Sequence, residues 1–185
     1  MKKDIHLIII GGTGRNVGKT EFVCRLISRV SNSYDVYALK VSAMFPDELL
    51  YHGDHSGIHS EMEGSSQLFE ETRIDSPKDT SRILFAGARR VFFLRSEENG
   101  IGSAYEDFRK IIPPQSVVVC ESNSLDTFVC PGLRVMVKTA DGVIKKRAVS
   151  RLQKADIVVV SDGESGFPEL DRIQYTRDYG WEIIS

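Results

Sequence analysis

The residues Gly12-Thr13-Gly14-Arg15-Asn16-Val17-Gly18-Lys19-Thr20 stand between an apolar run, Leu7–Ile10, and a helix-like stretch that begins at Glu21 and ends at Val30. Glycines carry no side chain, so consecutive backbone N–H groups can curl around phosphate oxygens. A helix that follows such a turn aims the positive end of its dipole at the same anion. In that geometry Lys19 reaches the terminal phosphates and the Thr20 hydroxyl ligates magnesium. Strand, glycine-rich turn, Gly-Lys-Thr and helix together form the context a phosphate-binding loop requires. Residues 12–21 are therefore the expected nucleotide-binding stretch, with Glu21 opening the helix. The plainer reading, a glycine turn with an exposed lysine, leaves the agreement of strand, motif and helix unexplained.

Two further positions belong to the same chemistry. Lys40 closes the apolar run Val36–Lys40 on the sheet edge where ligands of such folds bind. A lysine there points toward bound phosphates, although a strand-terminal lysine is also often merely solvated. Glu121 follows Val117-Val118-Val119-Cys120 directly. A carboxylate in that place holds magnesium through water or orients an attacking water; its other reading is a cap for Ser122-Asn123-Ser124. The catalytic candidates are thus Lys19, Lys40 and Glu121, and the magnesium candidates Thr20 and Glu121.

Other groups carry weaker signals. His52, His55 and His59 fall at helix-compatible spacing with Asp54 among them. They read as a soft-metal set or, more commonly, a solvated or substrate-facing set. Asp47 and Asp54 are alternative magnesium-side carboxylates. Cys130 follows Glu121 by nine residues and is a candidate soft-metal ligand, whereas Cys24 and Cys120 read as core. No tight zinc or nickel site is expected, because the histidines and Cys130 lie in separate segments. In Asp75-Ser76-Pro77-Lys78-Asp79-Thr80-Ser81-Arg82, Ser76 or Asp79 is an expected N-cap and Pro77 suits a first turn. Capping does not explain why Lys78, Asp79 and Arg82 crowd one turn. Lys138–Asp141 and Ser161-Asp162 end later strands, where an aspartate can accept hydrogen bonds from a guanine edge.

The elements that must position these groups alternate along the chain. Strands are expected at Leu7–Ile10, Val36–Lys40, Val91–Leu94, Val117–Cys120, Leu133–Val137 and Ile157–Val160. Helices are expected at Glu21–Val30, Thr80–Ala88, Ala104–Ile112 and Lys145–Ala155. Short, β-branched, non-alternating strands separated by helices predict an α/β fold, a predominantly parallel sheet with helices on both faces. Met44 to Lys78 is polar and weakly periodic, so it is expected as a long active-site loop with a helical piece, mobile until ligand binds. At 185 residues the chain is expected to be a single nucleotide-binding domain, 1–185. A net charge of −2 argues against a broad nucleic-acid surface. No apolar run is long enough to cross a membrane, and three sparse cysteines indicate a reducing compartment, so a cytoplasmic protein is expected.

The Gly12–Thr20 run resembles the loop of dethiobiotin synthetases and their MinD-like relatives among phosphate-loop NTPases. In this branch an extra lysine often stands five residues before the Gly-Lys lysine; here that position is Gly14. A second and a third stretch narrow the likeness. Lys40-Val41-Ser42 is similar to a Lys-His-[Ser/Thr] strand end. Ser76–Arg82, running on to Ala86-Gly87-Ala88, is similar to a Pro-Gly-Lys-Asp-Ser motif followed by Ala-Gly-Ala. Together they resemble the molybdopterin-guanine dinucleotide biosynthesis protein B family over roughly the first two-thirds of the chain. That family's Val-Glu-Gly-Phe becomes Cys120-Glu121-Ser122-Asn123, which keeps the glutamate and loses the glycine. The resemblance implies a protein that binds GTP (or ATP) with Mg2+ and hydrolyses it slowly while assisting molybdenum cofactor biosynthesis. A molybdenum cofactor biosynthesis protein and a second copy of the chain are the candidate partners. The alternatives are a dethiobiotin synthetase-like ATP-dependent ligase with Lys40 at the substrate, a nickel-insertion type metallochaperone GTPase, and a nucleotide-binding adaptor without chemistry.

Overall fold

The apolar runs lack the alternation that would let one face meet water, so they can only form strands covered on both sides. The computed structural model describes residues 1–44, 58–61, 66–140, 142, 144, 146–163 and 166–184. Within these, the chain runs β1 (Lys2–Gly12), α1 (Lys19–Val30), β2 (Val36–Met44), β3 (Ile58–Glu61), β4 (Gln67–Glu71), α2 (Asp79–Phe85), β5 (Arg90–Glu97) and α3 (Ile101–Ile111). It continues with β6 (Val117–Glu121), β7 (Val129–Thr139), α4 (Lys146–Gln153), β8 (Ile157–Ser161), β9 (Ile173–Thr176) and β10 (Gly180–Ile183). One sheet has the order β3-β4-β5-β2-β6-β1-β7-β8. From β5 to β8 all neighbours are parallel. The architecture is α/β with a mostly parallel sheet flanked by helices, as the sequence predicts.

The period of two along each strand sorts the core into two layers. Ile8, Ile10, Ala38 and Val119 pack on one face with Phe22, Leu26 and Ile27 of α1. Leu7, Ile9, Leu39, Val118 and Cys120 pack on the other with Tyr105 and Phe108 of α3. On α1 the buried residues Phe22, Val23, Leu26, Ile27 and Val30 recur at helical spacing. Full burial of each large apolar side chain contributes about 1.5–3 kcal/mol. That anchoring compensates for an N-cap, Gly18, that offers no side-chain oxygen.

Three departures from the sequence reading matter. The stretch expected as one long loop, 44–78, begins as the end of β2 and contributes β3 and β4, an antiparallel pair added beside β5. Arg90 Nε and Nη2 donate to the two carboxylate oxygens of Glu70 at 2.7 and 2.6 Å, tying β5 to β4. This pairing holds the Glu70 carboxyl below its usual range. His52, His55, Asp47, Asp54 and the expected mobility around them lie outside the described residues. Second, β7 begins at Val129 rather than Leu133 and runs alongside β1 from its start, with Lys3 opposite Cys130. Third, β9 and β10 form a separate antiparallel hairpin that the sequence reading left out. No helix among the described residues is long and apolar enough to cross a membrane.

The hairpin docks on β1. Trp181 Nε1 donates to the His6 carbonyl at 3.0 Å, and His6 Nδ1 lies 2.8 Å from the Tyr175 hydroxyl. Burial lowers the His6 pKa below its ordinary 6.5; Asp4 opposes the shift and Arg109 adds to it. A depressed folded pKa means that the unfolded chain takes up the proton first. Stability is therefore full above 6.5 and falls as pH drops toward the folded value. The melting temperature is expected to fall as the pH drops below about 6.5, and less in His6→Gln. An equal fall in that variant would assign the loss to other groups.

Candidate functional site

The glycine-rich loop leaves β1 at Gly12 and enters α1 at Lys19. Its first residues are tied to both neighbouring strands' ends. The Gly12 N–H donates to Asn123 Oδ1 at 2.8 Å, and the Thr13 N–H donates to the Val137 carbonyl at 3.0 Å. Asn16 and Gly18 have φ of 55° and 90°, so the chain turns through two left-handed residues before the helix. A methyl group at Gly18 would lie 2.6 Å from Ser161 Oγ, and one at Gly12 2.7 Å from Lys19 Cδ. Both sites lack room for a side chain; at Gly14 the nearest neighbour, Val17, is 3.4 Å away. The Phe22 N–H donates to the Gly18 carbonyl, which places Lys19, Thr20 and Glu21 in the first helical turn. Amides of that turn, with the helix dipole behind them, form a positive cradle. Lys19 Nζ donates to the Gly14 carbonyl at 2.9 Å and so crosses the loop.

The strand register assembles the rest. Ile10 stands opposite Glu121, and Glu121 opposite Lys40. All three face the α1 side, because Ile8, Val119 and Ala38 two residues earlier do. Thr20 Oγ1 donates to Glu121 Oε2 at 2.8 Å. Lys40 Nζ lies 3.4 Å from Glu121 Oε1 and forms an ion pair with Asp79 at the start of α2. Arg82, one turn on, donates to Glu21 at 2.8 Å and lies 4.0 Å from Asp79. Glu21 also accepts from Arg25 at 2.9 Å. Lys40 is not strand-terminal, as the sequence reading has it; β2 continues to Met44.

Two clefts meet here. One, about 430 Å³, lies along Arg15–Glu21 and is closed by Lys40, Asp79 and Arg82. The other, about 730 Å³, lies along Gly12–Arg15, Val41–Ala43 and Glu121–Ser124. The Thr20 hydroxyl and the Glu121 carboxylate present neighbouring oxygens toward the first cleft. That donor pair fits a magnesium ion that keeps waters and takes phosphate oxygens as further ligands.

The thiols stand apart from this chemistry. Among the described residues no group of three His, Cys, Asp or Glu side chains is placed to hold a metal. Burial raises the Cys24 pKa to about 11, so its thiol is protonated at neutral pH. Cys130 does not lie beside the loop. It sits opposite Lys3, seven residues before Val137, or about 23 Å along the strand. His59 falls in β3, while His52 and His55 lie outside the described residues.

No family model matches the chain, and neither does a curated protein or a solved structure. The arrangement itself must carry the reading. It gathers the sequence-nominated Arg15–Glu21, Lys40 and Glu121 around one cleft and adds Asp79 and Arg82 from α2. Their crowding in one turn was the available signal. Asn123, which holds the loop's first amide, carried none. Ser76 Oγ accepts from the Lys78 N–H at 3.2 Å, while the N-cap of α2 is Lys78, without a side-chain cap.

Glu121 is nearly buried and Asp79 is not, with side-chain exposures of 7% and 40%. Removing the Lys40 charge leaves Glu121 poorly compensated. Lys40→Met is expected to cost on the order of 3 kcal/mol in urea unfolding. Asp79→Asn should cost under about 1 kcal/mol, and Lys40→Met with Glu121→Gln should recover most of the first loss. The reverse ranking would show that Lys40 is held by Asp79 instead.

Proposed function

We propose that this chain is a phosphate-loop protein that binds a nucleoside triphosphate with magnesium, GTP ahead of ATP, and hydrolyses it slowly. The observation that carries this reading is the 2.8 Å hydrogen bond from Thr20, in the first turn after the glycine-rich loop, to Glu121 at the end of the adjacent strand. It joins an anion cradle to a magnesium-side carboxylate at one place. Loop amides and Lys19 hold the phosphate chain; Thr20 holds the metal directly and Glu121 through water. Bound there, magnesium supplies charge neutralisation on the phosphate oxygens. The preference for GTP rests on the family resemblance and on Asp162 after β8. The resemblance also names the client, molybdenum cofactor biosynthesis.

Slow turnover follows from the arginines. Arg82 borders the cleft but is drawn to Glu21 and Asp79, so its charge is shared before any transition state forms. Turnover on the order of 10⁻³ per second is expected without a partner.

Thermal melts with GTP, ATP and GDP in the presence of magnesium test the reading, since a ligand of the native state alone raises the melting temperature. Lys19→Ala is expected to remove the rise and leave the fold intact; an unchanged rise would mean the site has been misread. Glu121→Gln is expected to keep the rise and lose turnover, because affinity rests on the loop and Lys19. Parent-like turnover in that variant would remove Glu121 from the chemistry.

A further inference from the structure

We infer that the cavity at the amino ends of β2 and β6 binds a free α-amino acid with an aromatic or apolar side chain. It offers about 550 Å³, the volume of a small-molecule site. Four segments wall it: β1 at His6, the α1–β2 connection, the α3–β6 connection and the β9–β10 hairpin. Among the described residues it shares none with the two clefts beside the glycine-rich loop. His6 and Gly12 stand six residues apart on β1, about 20 Å, so this inference does not depend on the nucleotide reading.

The charges that line the cavity are opposite and unpaired. They are Asp35 and Arg177, both exposed, and no ion pair joins either to another described residue. The half-buried His6 adds no charge at about pH 7.5, because burial lowers its pKa below 6.5. A net-neutral ligand with one charge of each sign complements both groups at once. α1 and α3 end at this wall, at Val30 and Ile111, so the negative ends of two helix dipoles favour an ammonium beside Asp35. Arg177 follows β9 on the hairpin, and its guanidinium suits the carboxylate.

The remaining walls suit an apolar side chain. The rings of Tyr34 and Tyr175 meet edge to face with centroids 4.9 Å apart, and Tyr37 and Tyr175 are buried. Pro113 and Pro114 add further apolar surface. Walls already fixed in place give contact area at little entropic cost. The turn beside them carries a polar group at a cost to the backbone. Gln115 has a φ of 58°, in the left-handed region that glycine or asparagine enters more readily. Ser116 holds this turn, donating from Oγ and from its N–H to the Pro113 carbonyl at 2.6 and 3.3 Å. An amide side chain is thereby kept at the cavity where glycine would relieve the backbone.

Calorimetric titration of the full chain at about pH 7.5 provides the test, with L-phenylalanine, phenethylamine, 3-phenylpropionate and D-glucose as probes. The first three share a ring and differ in charge. L-phenylalanine is expected to bind at one site, and each single-charge analogue at least about tenfold more weakly. Glucose should give no binding heat. Asp35→Asn and Arg177→Gln, at exposed positions, should leave the melting temperature unchanged. Asp35→Asn should abolish the preference over 3-phenylpropionate, and Arg177→Gln the preference over phenethylamine. The absence of L-phenylalanine binding overturns the inference, as do equal binding of the analogues and preferences that survive both substitutions. Binding of glucose in place of the amino acid overturns it equally, for then the cavity holds a polyhydroxylated ligand.

Discussion

In the parallel register of β1, β6 and β2, Ile10, Glu121 and Lys40 stand side by side, and the site exists only in that register. Side chains alternate between faces, so a slip of one residue would turn Glu121 toward α3 and bring Cys120 under Thr20. The slip is prevented by burial. Ile8 and Ile10 serve one core layer and Leu7 and Ile9 the other, so every misregistered pairing exchanges two packed faces at once. The polar row is thus held by apolar residues that never touch a ligand.

Within that frame the charges compensate one another before anything binds. Lys40 lies between Asp79 and Glu121, and Glu21 between Arg25 and Arg82. α2 reaches the cleft through both groups. Its first-turn residues link the loop helix, through Glu21, to β2, through Lys40. Any incoming cation or anion competes with these pairs, which ties ligand entry to the position of α2.

The parallel strands were legible because their apolar runs are unbroken, and the loop because its glycines sit between such a run and an amphipathic helix. Glu121 was legible as a charge at the end of a strand, and Lys40 as a charge closing an apolar run, although β2 continues past it to Met44; their mutual contact was not legible, since register is a property of pairs. The antiparallel edge was hidden by polarity: Gln67-Leu68-Phe69-Glu70-Glu71 has only two apolar residues, set side by side among polar ones. The hairpin was different. Ile173 and Tyr175, then Trp181 and Ile183, alternate around a turn with Gly180 at a φ of 78°, and the pattern was available to a period-two reading. Cys130 was misplaced because Pro131-Gly132 reads as a break, whereas β7 passes through both residues.

The docking of β10 on β1 has a consequence for the order in which the chain becomes structured. β1 lies inside the sheet, with partners supplied by β6 and β7, and its His6 carbonyl receives Trp181 from 175 residues downstream. β1 is therefore synthesised well before the segments that cover it and is among the last of these strands to be fully enclosed. Contacts of such sequence separation form late and slowly. Until they do, Leu7–Ile10 is an uncovered apolar strand, the kind of segment that chaperones shield during synthesis.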